Sequence, residues 1–133
     1  MTHRVVPGSL HYVVQLPSTP HSAAAARALA RAWCQSAGDG RDGTALELLL
    51  SEAVTNAVRH AAVSPRDLIT VDVVLTADAT VASVSDHGPS FSAVAPPPVE
   101  GQTSGFGLHI IAELSRNWAV ERHATGNRVT FTL

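Results

Sequence analysis

The sequence predicts an α+β domain, a two-layer sandwich whose mostly antiparallel mixed sheet carries helices packed on one face. Three observations lead there. Short β-branched segments of alternating polarity occur as neighbouring pairs, the pattern of hairpins. Two helical patterns stand together in the first half, and a third falls between the two strand pairs. With 133 residues and 45% apolar composition, the chain is long enough to bury one real core.

Each element has a local cause. Residues 1–9 read as a flexible N-terminus, which leaves 10–133 as the domain. His11 to Leu16 reads as a strand, closed by Pro17 and Pro20. Ser22 to Ala37 is Ala-rich and strongly helix-forming, with Ser18, Thr19 or Ser22 as candidate caps and Gly38-Asp39-Gly40 as the stop. A second helix is expected from about Thr44 to Ala62, ended by Ser64-Pro65. Ile69 to Thr76 and Thr80 to Ser85 form a strand pair across the short Ala77-Asp78 turn. From His87 to Ser104 there are four Pro, two Gly and no periodicity, the composition of a functional lid or a linker. Gly105-Phe106-Gly107 then opens a third helix, Leu108 to Ser115. Trp118 to His123 and Arg128 to Leu133 close the chain as a hairpin around residues 124–127. No internal repeat is present.

Composition removes several function classes. The net charge of -2 gives no electrostatic footprint for direct nucleic-acid binding. All nine basic residues are Arg, so a P-loop lysine is excluded. A single cysteine, Cys34, rules out an internal disulfide and a cysteine metal cluster, and suits a reducing cytosol. No apolar run approaches the ~20 residues of a membrane span and no signal-peptide pattern opens the chain, so a cytoplasmic protein without membrane association is expected.

The second helix carries the first chemical signal. Its apolar stripe runs through Leu46, Leu49, Leu50, Ala53, Val54, Ala57, Val58 and Ala61. Glu52 and Asn56 stand one turn apart, since a helix advances roughly 100° per residue, and they fall beside the Leu49 edge of that stripe. There, water is scarce and polar groups need partners. An acidic residue near the helix start plus an incidental Asn remains an equally plain reading of this helix alone. Two further segments carry the argument on. Asp86 emerges from an apolar strand into a loop, an acceptor for a ligand's amino group, and nearby Gly88 lets a flat ring approach the backbone. Gly105 and Gly107 at a helix start expose unpaired N–H groups and the positive dipole end to an anion. A carboxamide beside a carboxylate offers hard oxygens for Mg²⁺, which takes few protein ligands. Together these describe a nucleoside triphosphate site: adenine at Asp86, phosphates at Gly105–Gly107, metal at Asn56, a hydroxyl or water at Glu52. Each signal alone is also common loop punctuation; their order and spacing raise the specificity.

That order resembles the GHKL (histidine-kinase-like) ATPase superfamily over roughly residues 10–133. E52-A-V-T-N-A-V-R-H60 is similar to its N-box, D86-H-G-P-S90 to its first glycine box, and S104-G-F-G-L-H-I-I111 to its second. SEAVTNAVRHA and the compact size most resemble the anti-sigma-factor serine/threonine kinase branch. The resemblance implies the histidine-kinase-like ATPase fold with a lid over about 87–104. It implies ATP and Mg²⁺ as cofactors, with Asn56 holding the metal and Glu52 orienting or deprotonating the attacking hydroxyl. Asp86 and Gly88 would meet the adenine, and Gly105, Phe106, Gly107 and Leu108 would form the phosphate-side box. It implies as partners a sigma factor or a small anti-sigma antagonist protein, and a homodimer for which the edge at residues 11–16 is a candidate. A non-catalytic, ATP-gated binding module regulating transcription or signalling is the alternative, and a self-contained ATPase a weaker third reading.

Three departures bear on that choice. Ser90 follows Pro89 where the first box has its second glycine. No Arg or Lys lies between Asp86 and Gly105, so Arg59 or a partner's arginine would have to neutralise the γ-phosphate. Gly126 is followed by Asn127 where the family often has Gly-Thr, making Asn127 the candidate hydrogen-bonding substitute. Among other residues, His60 reads as a helix-packing histidine, His87 as a solvated loop residue, and His109 as facing either phosphate or water. Trp33, Phe106 and Trp118 read as core or lid-packing residues, Cys34 as a small core hydrophobe, and Glu113 with Arg116 as a surface pair.

Overall fold

The computed structural model describes residues 2–3, 8–61, 67–87, 106–123 and 126–133. Six strands form one sheet: β1 (Thr2–His3), β2 (Leu10–Pro17), β3 (Leu68–Leu75), β4 (Thr80–Asp86), β5 (Asn117–His123) and β6 (Gly126–Thr132). Their order across the sheet is β1-β2-β3-β4-β6-β5, and all five pairings are antiparallel. The expected α+β sandwich is therefore present, with no parallel pair to make the sheet mixed among the described residues. Two residues of the segment read as flexible, Thr2 and His3, pair with Tyr12 and His11 and add the short strand β1.

Strand alternation places one face of the sheet inward. Ile69, Val71, Val73 and Leu75 of β3, Ala82 and Val84 of β4, and Val129 and Phe131 of β6 are all buried. Their neighbours Thr70, Asp72, Ser83, Ser85 and Thr130 are only half-buried and lie on the other face. The helices α1 (His21–Ala37), α2 (Thr44–Asn56) and α3 (Phe106–Leu114) cover the apolar face, with α2 packed between the other two. The stripe expected on α2 is the centre of the core: Leu46, Leu49, Leu50, Ala53, Val54 and Ala57 are each no more than 3% exposed. Burying one such side chain contributes roughly 1.5–3 kcal/mol, so α2 is held by its packing more than by helix propensity. Trp33 stacks on Tyr12 with ring centroids 4.9 Å apart, tying α1 to β2, and Cys34 is buried beside it.

Helix ends differ from expectation in two places. None of the candidate caps closes α1 at its start: the helix begins after Pro20, and Ser22 Oγ donates instead to the Pro17 carbonyl. Its C-terminus follows the expected rule, with Gly38 in the left-handed region at φ 70° and its N–H bonded to the Gln35 carbonyl. The second helix does not run on as α-helix to Ala62. It changes at Ala57 into a π-helical turn, Ala57–Ala61, where the Ala57 N–H is shared between the Ala53 and Val54 carbonyls. Such a turn inserts a residue into the helical ladder and is frequent at functional sites.

Candidate functional site

The site grows from the end of the sandwich where α2 and the π-turn meet the C-terminal end of β4. On α2, Asn56 is buried at 8% exposure and Glu52, one turn earlier, is half-buried. This is the rim position that the apolar stripe anticipates. Ser51, immediately before Glu52, is buried and accepts a 2.7 Å hydrogen bond from Arg27 of α1. That contact fixes the rotation of α2 about its axis at the point where Glu52 leaves it. The sequence carries no local sign of this contact, because Arg27 and Ser51 are joined only by helix–helix packing.

Asp86 is the last residue of β4 and is buried on the core face, at 9% exposure. Its register partner is Asn127, which is 1% exposed. Asn127 Nδ2 donates to Asp86 Oδ1 at 3.3 Å, so two polar side chains from adjacent strands form one unit inside the sandwich. Asn127 is thus a strand residue, whereas the sequence reading placed it in a turn and began the last strand at Arg128. The strand starts two residues earlier because Gly126 pairs with His123. Gly126 also lies against the end of β4: a Cβ there would sit 1.6 Å from the Asp86 carbonyl oxygen. Only a residue without a side chain permits this approach, and the approach brings Asn127 level with Asp86.

Phe106, Gly107 and Leu108 occupy the first turn of α3, which packs on α2. The first turn of a helix presents N–H groups with no intrahelical partner, and these three residues of the expected phosphate-side box stand there. Gly88, Gly105 and the lid expected over 87–104 lie outside the described residues, apart from His87, which is exposed. His60 falls outside them as far as its side chain is concerned. His109 resolves toward the surface: its Nε2 meets Glu113 Oε1 at 3.2 Å, and Glu113 is therefore paired one turn back and not with Arg116. Arg59 is exposed and lines a small groove of about 200 Å³ with Pro20, Ala23, Thr55 and Val58.

Among the described residues no group of three or more His, Cys, Asp or Glu side chains is placed to hold a metal. A Mg²⁺ ion carried by a triphosphate needs no such group, since phosphate oxygens and waters fill most of its sphere. The oxygen donors of Asn56 and Glu52 fit that demand in kind. Bound there, the ion would neutralise phosphate charge, with Asn56 as its protein ligand.

A buried carboxylate and carboxamide in register on β4 and β6, a second carboxamide and carboxylate on α2, and the first turn of α3 packed on α2 are the polar features that the fold sets around this end of the core. The chain belongs to the histidine kinase-like ATPase domain family, whose model matches residues 16–133. ATP binding is the activity that membership carries. A search of curated proteins found no match. Among the described residues no helix is long and apolar enough to cross a membrane.

Proposed function

We propose that this protein is a Mg-ATP-dependent regulatory kinase of the anti-sigma-factor type, acting on a Ser or Thr of a small antagonist protein. The observation that carries the reading is the placement of Glu52 and Asn56 on one face of α2, with α2 packed on the strand that ends in buried Asp86. Asp86 accepts from the adenine amino group. Asn56 is the metal ligand, and the first turn of α3 receives the phosphates. Glu52 accepts the proton of the attacking hydroxyl; that oxygen bonds to the γ-phosphorus, the bond to the β–γ bridging oxygen breaks, and ADP leaves. Catalysis of this kind depends on positioning and charge stabilisation. The bound partner is a sigma factor or its antagonist, the domain is residues 10–133 with a lid over 87–104, and the setting is the cytoplasm, with a homodimer as the working assembly.

Calorimetric titration tests binding. ATP with Mg²⁺ should bind, and Asp86→Ala should abolish it; an unchanged affinity in that variant sinks the adenine assignment. Radiolabelled ATP tests transfer. A candidate antagonist should acquire label, and Glu52→Ala should stop labelling while ATP still binds.

A second reading, a non-catalytic module that binds a partner when ATP is present, is favoured by two features. Between Asp86 and Gly105 the chain has no Arg or Lys, and Ser90 replaces a lid glycine. Nucleotide binding without label on any partner selects that reading.

A further inference from the structure

We propose, building on the kinase reading above, that the groove at the start of α1 holds an acidic residue of the partner's phosphoacceptor segment, an Asp or Glu close in sequence to the Ser or Thr that receives the phosphate.

The groove, of about 200 Å³, is lined by Pro20 and Ala23 at the start of α1 and by Thr55, Val58 and Arg59 across from them. Pro20, Ala23 and Val58 make an apolar wall with room for the methylenes of one side chain. The charge around it has one sign. From Ser18 to Gly38 the chain carries Arg27 and Arg31 and no Asp or Glu. Arg31 pairs with Glu47. Arg27, one turn beyond Ala23, is exposed, donates to the neutral Ser51 hydroxyl and makes no ion pair among the described residues.

The helix start adds to that charge. Ser18, Thr19 and Ser22 are all placed in sequence to cap α1, yet Ser22 Oγ donates to the Pro17 carbonyl instead. Ser18, two residues before Pro20, is 6% exposed and its hydroxyl has no hydrogen-bond partner. The Ser22 N–H closes a turn on the Thr19 carbonyl, and the first turn holds no acidic residue. An uncapped helix start presents N–H groups and the positive end of the dipole, and a carboxylate is the side chain that complements both. A carboxylate from outside the chain can take that role with its methylenes against the apolar wall.

Position ties this groove to the transfer step. Thr55 and Arg59 follow Glu52 by about one and two helical turns, a rise of roughly 5–10 Å. An extended segment covers that distance in about two or three residues. A partner chain with its acid in the groove thus reaches Glu52 with a nearby hydroxyl, and the groove sets which Ser or Thr is presented.

The test is labelling of a positional-scanning serine peptide library by the full chain with radiolabelled ATP and Mg²⁺. Asp and Glu should be enriched roughly fivefold over neutral residues at one position near the serine, the size of a favourable charge at a helix start. His21 is the exposed first residue of α1 and is not among the groove's lining residues. His21→Asp gives the helix start a carboxylate of its own, so it should lose the enrichment while binding ATP as the wild type does. His21→Asn, uncharged and of the same shape, should keep it; thermal melts check that both fold. The wild-type library needs no variant. Equal wild-type labelling of acidic and neutral peptides overturns the proposal and leaves the kinase reading standing. Enrichment that persists in His21→Asp overturns the placement at α1. ATP binding without label on any peptide or candidate antagonist removes the kinase reading, and this proposal with it.

Discussion

The two poles of the sandwich use buried polar groups in opposite ways. At one pole, the α1–α2 connection meets the β3–β4 turn, and every contact there fastens the structure. Arg41 is the fastener. Its guanidinium holds Asp39 through several hydrogen bonds, donates to the Thr76 carbonyl, and reaches Thr80 Oγ1 at 3.2 Å. Asp42 accepts from the Thr44 amide and hydroxyl in the turn that leads into α2. Thr80 and Leu133 exchange two backbone hydrogen bonds that close the sheet. A cleft of about 390 Å³ lies over this pole, and two of its charged side chains, Arg41 and Asp39, are already paired with each other. At the other pole, Asn56, Asp86 and Asn127 are buried, Asn127 donates to Asp86, and Glu52 makes no ion pair among the described residues. Polar groups are costly to bury, and the proposed function assigns those of this pole to a nucleotide.

Gly126 is where this contrast breaks most sharply. A methyl group there would overlap the Asp86 carbonyl at 1.6 Å, and backbone must move to admit it. Gly126→Ala should destabilise the fold by about 3 kcal/mol, the upper end of ordinary overpacking, and lower the melting temperature by roughly 10 °C. It should also separate Asp86 from Asn127, so ATP affinity should fall more than the stability loss alone explains when both are measured well below the melt. Full affinity in a destabilised Gly126→Ala protein would mean that strand contact does not shape the base site.

How much of each pole was legible in the sequence follows from the range of the interactions. The strand pair at 69–76 and 80–85 was readable, because alternation and a short turn are local; the structure gives 68–75 and 80–86. The α2 stripe was readable for the same reason, and so was the rim position of Glu52 and Asn56. The π-turn was not: Ala57 to Ala61 contains no Gly or Pro to mark a change, so nothing local separates it from the α-helix before it. The insertion of β6 between β4 and β5 was equally hidden, since it pairs residues about forty positions apart. Asp86 meets Asn127 across that gap, and starting the last strand at Arg128 concealed it. The work of Arg41 was invisible too, because nothing near it in sequence marks Thr76 or Thr80 as partners.

Arg41→Ala should separate stability from function in the other direction. The substitution leaves the Thr76 carbonyl and Thr80 hydroxyl without this donor and frees the loop after α1. Hydrogen bonds of this kind, lost from a side chain that is 17% exposed, are worth about 2 kcal/mol together. Denaturant melts should show that loss, while ATP affinity measured under native conditions stays within about twofold, since a site remote from the change is expected to be independent of it. A larger drop in affinity would show that the two poles are coupled through α2.

The smallest effect is a pH dependence confined to the fastened pole. Hydrogen bonds from Arg41 hold the Asp39 carboxyl down at about 2, below its ordinary 3.8, and Thr44 lowers Asp42 in the same direction. A carboxyl that is more acidic in the folded state stabilises the fold above its unfolded value, and that contribution disappears as pH falls through the folded value. The wild-type protein should therefore lose its advantage over Asp39→Asn between about pH 4 and pH 2 and show a constant advantage above pH 4. Asp39 is exposed, so the advantage should be small and should shrink further with added salt. Melts of the two proteins across that range, at low and high ionic strength, check both the window and the screening. A difference that stays unchanged from about pH 5 down to pH 2 would place the stabilising partner of Arg41 elsewhere, on the carbonyls of the β3–β4 turn, which do not titrate.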